Sequence, residues 1–160
     1  MKEGLVLTTH ELENALDFLR QKGLRITSQR SLILNYLITQ RTHPTAEEIF
    51  NALKATDTNL SLATVYNTLD LFIEHHLVVN LAGNDDKQHF DYFAHPHYHV
   101  ICSVCGRIED VFDFSFNPLL DHAQAHTDYQ IDHAAVEVFG VCPTCQAKQK
   151  NSKEKADYKM

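Results

Sequence analysis

Two short cysteine pairs, Cys102-Ser-Val-Cys105 and Cys142-Pro-Thr-Cys145, set the tightest limit on how this chain can fold. A tight turn at each pair lets its two sulfurs face one way, and two such turns can close on one tetrahedral ion. Thiolates are soft donors and suit zinc. Four of them leave no coordination position open, so such an ion would be structural, fastening the segment at Cys142 to the turn at Cys105. The rival readings are a redox dithiol and unrelated thiols. Retained zinc and resistance to alkylation would dismiss both.

Residues 89–106, HFDYFAHPHYHVICSVCG, lead into the first pair and are crowded with further donors: His89, Asp91, His95, His97 and His99. If 97–102 is a strand, side chains alternate between its faces, so His97 and His99 point the same way, about 6–7 Å apart at the Cα level. Asp91 lies on the preceding strand and Asp110 on the following one, and either can reach the histidine face. Imidazole plus carboxylate without thiolate suits Fe2+, Mn2+ or Zn2+. Taken alone, Asp91 and Asp110 are surface carboxylates, and a lone histidine is a solvated or hydrogen-bonded ring. His122 and His126, four apart on an expected helix, can chelate, but a solvated helix face accounts for them better. His75 and His76 suit a helix end, where a charged ring complements the dipole. His89, His95 and His133 are further candidates.

At 160 residues and 44% hydrophobic, the chain can make one ordinary domain or two small ones. It has no apolar run of about eighteen residues and no signal peptide at its start, so a cytoplasmic location is expected. There, four cysteines are thiolate ligands rather than disulfides. The net charge of −7, from 14 Lys+Arg against 21 Asp+Glu, argues by itself against nucleic acid. The imbalance is smaller up to Gly83, with 7 basic and 9 acidic residues, than beyond it, with 7 and 12.

Along the chain, a capping box at Thr8–Glu11 precedes Leu12, Ala15, Leu16 and Leu19 at helical spacing. Gly23 ends that helix. Thr27 can cap a second, with Leu32, Ile33, Tyr36 and Leu37 inward. Thr45 and Glu48 form another capping box ahead of Ile49, Phe50 and Leu53. Ser61 can cap a fourth helix, on which Leu62, Val65, Leu69 and Phe72 form one apolar stripe and Ala63, Asn67, Asp70 and Glu74 face away. Then come strands over 77–81 and 88–93 around a turn at 83–86. Helices followed by a hairpin describe a winged helix, a helix-turn-helix variant. The fourth helix has no Lys or Arg, so its Thr64, Tyr66 and Asn67 would read base edges while Lys22, Arg25, Arg30 and Arg41 met phosphates or the minor groove. Its bland reading is an ordinary packing helix. Further on, strands over 97–102 and 107–113, a short helix over 118–127 and a long strand over 129–141 make a small α+β unit. Residues 146–160, with five lysines and no apolar periodicity, read as a disordered tail.

The stretches GLRITSQR (23–30), HPTAEEIF (43–50), LSLATVYNTL (60–69), HFDYF (89–93), HYHVICSVCG (97–106) and FGVCPTC (139–145) together resemble the ferric uptake regulator family of bacterial metal-dependent repressors. The resemblance spans 10–148 and is strongest to the family's peroxide-sensing branch. It implies an α+β protein: a winged helix-turn-helix DNA-binding domain over 1–83, its hairpin reaching about 93; a metal-binding dimerisation domain over 94–148 with the four-cysteine zinc site; and a flexible tail over 149–160. It also supplies a ligand that spacing does not, His43. His43, Asp91, His97, His99 and Asp110 match the regulatory Fe2+ or Mn2+ set, with aspartates where iron-uptake members carry glutamate. Asn67 matches the peroxide-sensing branch too. The extra histidine-acid site of many uptake regulators is absent, since Pro96 and Tyr98 stand where His and Asp would. The implied protein is a cytoplasmic homodimer on double-stranded operator DNA, not an enzyme, with no membrane partner and no small-molecule substrate but peroxide. An iron- or manganese-uptake regulator is the alternative, and a non-haem metal enzyme a distant one.

Overall fold

Hydroxyl side chains decide where three of the helices begin. The computed structural model describes residues 3–82, 87–93 and 96–157, with side chains for 9–82, 87–93 and 96–150. In it Thr27, Thr45 and Ser61 accept hydrogen bonds from the backbone N–H groups of Arg30, Glu48 and Thr64, opening α2 (Ser28–Gln40), α3 (Ala46–Leu53) and α4 (Leu62–Glu74). At Thr45 the exchange is reciprocal, because its own N–H donates to Glu48 Oε2 at 2.7 Å. Each hydroxyl satisfies a donor that the first helical turn cannot.

The first helix, α1 (Glu3–Gln21), begins earlier than the capping box expected at Thr8, whose backbone is already helical. Its end is as expected. Gly23, at φ 78°, lets the Gly23 and Leu24 N–H groups reach back to Arg20 and Leu19. Helix α4 closes in the same way, with His76 at φ 56° in the glycine's place.

The chain divides into two compact units. In the first, α1 lies against α2 and α3 against α4, with hairpin strands β1 (Val78–Ala82) and β2 (Gln88–Tyr92) against α4 and α2. The strands are antiparallel, with Val78 opposite Tyr92 and Asn80 opposite Phe90. Their turn at 83–86 lies outside the described residues. The core gathers Leu19, Ile33, Leu34, Ile38, Ile49, Val65, Leu69, Phe72 and Phe90. On α2 the buried stripe is Ile33, Leu34, Leu37 and Ile38, whereas Leu32 and Tyr36 are half-buried; the inward face is turned by about one residue from the expected one. Thr68 also joins the buried face of α4, between Val65 and Leu69.

The second unit holds a three-stranded sheet. Its central strand β3 (Tyr98–Cys102) pairs antiparallel with β4 (Ile108–Val111) and parallel with β5 (Glu137–Gly140). Helix α5 (Asn117–His126) connects β4 to β5, and α6 (Pro143–Asp157) follows β5. Two expectations fail here. The long strand over 129–141 shrinks to Glu137–Gly140, because β3 offers no partner beyond the His99–Glu137 pair and the Val136 carbonyl. Upstream, the Gln124 side chain meets the Tyr129 carbonyl and the Ile131 N–H instead. The expected tail is helical as far as Asp157, launched by Pro143 in the first turn, where a missing N–H costs nothing.

Among the described residues, the buried apolar side chains of the second unit are Ile101, Phe116, Cys102 and Cys145. Two of those four are site cysteines, so the interior is too small to be held by apolar burial alone.

Phe72 is fully buried at the centre of the first unit. Phe72→Ala should therefore cost about 3–5 kcal/mol in urea unfolding, while Asn67→Ala, on the exposed side of the same helix, should stay within about 0.5 kcal/mol. The reverse ranking would mean that α4 faces the other way.

Candidate metal centres and reading helix

Cys102 ends β3, Cys105 follows in the turn to β4, Cys142 follows β5 and Cys145 lies in the first turn of α6. Parallel pairing of Cys102 with Gly140 puts both cysteine pairs at the same end of the sheet. Their four sulfurs all lie within 4.8 Å of one another, and all are reduced. The Cys142 N–H donates to Cys102 Sγ at 3.3 Å and, with the N–H groups of Cys105 and Val104, draws the Cys102 thiol down to about 6. Burial, and then the neighbouring sulfurs, push Cys145 up to about 12. One sulfur is thus ready as a thiolate while another resists ionisation. A divalent cation would reverse that resistance, and a closed set of four sulfurs fits zinc.

The imidazole–carboxylate residues fall in both units. In the second, His97 Nε2 lies 3.0 Å from His99 Nε2, and Asp110 Oδ1 lies 3.5 Å from His99 Nε2 and 3.9 Å from His97 Nε2. Register explains the contact of Asp110 with His99, since the two stand opposite each other across the β3–β4 pair. Both histidines are buried. Two nitrogens each about 2.1 Å from a shared ion, at a right angle, would be about 3.0 Å apart, so the spacing suits a cation as well as a hydrogen bond. In the first unit His43 Nε2 lies 3.8 Å from Asp91 Oδ1, both residues buried. Sulfur is absent from these donors, which sets them apart chemically from the cysteine site.

Of the remaining histidines, His89 donates from Nδ1 to the His43 carbonyl at 2.7 Å. His122 and His126 stack on α5 with ring centroids 4.1 Å apart, His126 Nδ1 bonded to the His122 carbonyl. Among the described residues neither joins a convergent set of three donors. His133 is exposed, and His95 lies outside the described residues.

On α4, Asn67 is exposed, whereas Thr64 is half-buried and exchanges a 2.8 Å hydrogen bond with Ser61 in the cap. Tyr66 Oη donates to Glu47 Oε1 at 2.8 Å. That bond raises the Tyr66 phenol and lowers the Glu47 carboxyl from their ordinary values. Lys22 lies over the Phe18 ring, and Arg25 is exposed. Arg30 Nη1 donates to the Arg25 carbonyl, while Arg41 is bound through Nη2 to both Glu11 oxygens. The pairings of Glu11, Glu47 and His89 escape a motif reading. Their partners are 30, 19 and 46 residues away, and no local spacing announces such pairs.

Four helices closed by a hairpin, then a sheet unit with a four-sulfur cluster and an imidazole–carboxylate group, define a winged-helix protein with two candidate metal centres. The chain belongs to the ferric uptake regulator family, whose model matches residues 21–139. It is 45% identical over 139 residues to the peroxide-responsive repressor PerR of Staphylococcus aureus, covering 87% of this chain and 94% of that protein. Among solved structures, a Campylobacter jejuni peroxide stress regulator is similar with a TM-score of 0.65 and 30% identity, over 81% of this chain and 98% of the other. The Helicobacter pylori ferric uptake regulator Fur shares the fold, with a TM-score of 0.67 and 23% identity over 87% of this chain and 93% of that one.

Zinc added to metal-free protein at pH 7 should release protons, because Cys145, near 12, holds its proton while Cys102, near 6, is mostly ionised. Zinc retention should weaken as pH falls through 6 and Cys102 is protonated. Cys145→Ser should lose zinc and lower the melting temperature of the second unit. Zinc uptake without proton release in a weakly buffered titration would contradict this assignment.

Proposed function

We propose that this chain is a metal-dependent, DNA-binding transcriptional repressor that responds to peroxide. The carrying observation is the sulfur-free donor group, two imidazole nitrogens 3.0 Å apart beside a carboxylate. The similarity to a peroxide-responsive repressor supports the same reading. Cys102, Cys105, Cys142 and Cys145 would hold structural zinc. His43, Asp91, His97, His99 and Asp110 would hold the regulatory ion. When bound, Fe2+ or Mn2+ supplies a Lewis-acid centre, and Fe2+ alone also supplies the electron that activates peroxide.

The proposed ligands belong to two units, so a protein engaging all five favours the arrangement in which they converge. A ligand shifts an equilibrium only through its preference for one state, and here that preference is the added His43 bond. Oxygen added to the ring of His43 or His97 removes a nitrogen donor, and the bias goes with it. In a homodimer the favoured arrangement would hold two α4 helices at the separation of two operator half-sites. Exposed Phe112, Phe114, Val138 and Phe139 give the second unit an apolar surface suited to self-pairing.

Tyr66 and Asn67 would read base edges, with Thr64 buttressing the helix start. Lys22, Arg25 and Arg30 would meet phosphates, while Arg41 is engaged by Glu11. With no Lys or Arg on α4, few phosphates are neutralised and the salt slope should be shallow. We place the protein in the cytoplasm, as a regulator and not an enzyme; no helix of the described residues is long and apolar enough to cross a membrane.

Operator binding should require Fe2+ or Mn2+, and His43→Ala should abolish that requirement together with tight binding. After peroxide, mass spectrometry should find added oxygen on a His43 or His97 peptide in the iron form only. Unmodified histidines with DNA binding retained would identify a metal-uptake regulator instead. Asn67→Ala should cost about 1–3 kcal/mol of discrimination between operator and unrelated DNA.

A further inference from the structure

The turn that carries His43 is held by side chains and strand residues that no motif assigns. His43 sits at φ 51°, in the left-handed region that few non-glycine residues occupy, and Arg41 two residues earlier sits at φ 47°. Such a conformation persists only where its surroundings enforce it. Three successive residues of β2 do so. The His89 ring donates from Nδ1 to the His43 carbonyl at 2.7 Å, the Phe90 N–H donates to the Pro44 carbonyl at 3.0 Å, and the Asp91 carboxylate lies 3.8 Å from the His43 ring. Two of these ties are built into the strand or the proposed ligand set. The His89 contact is a side-chain choice that a residue without a donor there would not make.

We propose that His89 is a positioning residue for His43. It holds the turn's carbonyl so that the His43 imidazole stands ready before any ion arrives, raising regulatory-metal affinity without itself being a ligand. The bond runs across the first unit, from strand β2 to the α2–α3 turn, so strand and ligand loop move as one. Its donor is the Nδ1–H, which both the neutral ring with that tautomer and the charged ring possess. The inference rests on the proposed regulatory role of His43, and the test keeps the two separate.

The variants are His89→Leu, which keeps bulk but has no donor, and His89→Gln, whose amide can donate to the same carbonyl; His89→Ala replaces the leucine variant should that one not fold. Mn2+ is titrated calorimetrically into the zinc-loaded full-length protein, and hydrogen exchange of the Thr42, His43 and Thr45 amides is followed without Mn2+. Loss of an outer partner of a metal ligand typically weakens affinity about 10–100-fold, so His89→Leu should bind Mn2+ at least about tenfold more weakly. His89→Gln should recover most of that loss. Zinc content and melting temperature should stay near wild type, while exchange in the turn quickens in the leucine variant and returns to normal in the glutamine one. Wild-type Mn2+ affinity and exchange in His89→Leu would overturn the proposal, and so would equal losses in both variants. Should wild type bind no Mn2+ beyond its zinc, the repressor reading fails, and turn exchange alone decides the role of His89.

Discussion

Four sulfurs within 4.8 Å of one another cannot all be ionised without a cation among them, and the second unit is built around that constraint. Backbone donors converge on Cys102 and favour its thiolate, while burial and adjacent sulfurs keep the Cys145 proton in place. The apolar interior around them is small, with Ile101 and Phe116 its large members among the described residues. Stability and metal occupancy are therefore coupled in this unit. The first unit, with its continuous apolar core from Ala15 to Phe90, needs no such help.

The first unit's order follows from where its polar caps fall. Thr27, Thr45 and Ser61 start α2, α3 and α4, while Gly23 stops α1 and His76 stops α4, so these helix ends are set locally. The short α2–α3 connection then carries His43 to the neighbourhood of β2. Pairing of β1 with β2 turns Asp91 towards that connection. The placement of His43 and Asp91 is thus a by-product of helix capping and hairpin register.

These features differ in how plainly the chain declares them. Capping hydroxyls, the apolar stripe of α4, the paired cysteines and His-x-His next to a strand are local patterns, legible from spacing. His43 is not, because a single histidine before a proline has no periodicity; only family motifs single it out. The inward face of α2 differs from the expected one because Leu32, Ile33, Leu34, Tyr36, Leu37 and Ile38 are apolar around most of the helix, and packing alone selects among them. The long strand expected over 129–141 failed for a non-local reason: a β-branched, alternating segment becomes a strand only where a partner extends, and β3 stops at Tyr98. The helix to Asp157 was missed because lysine-rich sequence without an apolar stripe suits solvent and helix alike. Long-range pairs such as Tyr66 with Glu47 leave no trace in one sequence.

Strand β3 joins the two kinds of donor group through its alternation. His99 faces one side of the sheet, across from Asp110, while Cys102, an odd number of residues later, faces the other. Inserting or deleting one residue between them would put both side chains on one face and strip either the imidazole or the sulfur from its companions. Tips and tails of such a chain can drift in length, but this stretch is a gauge whose spacing cannot be trimmed. Any lineage that reshaped one donor group by changing strand length would forfeit the other, so its chemistry could change only by exchanging side chains in place.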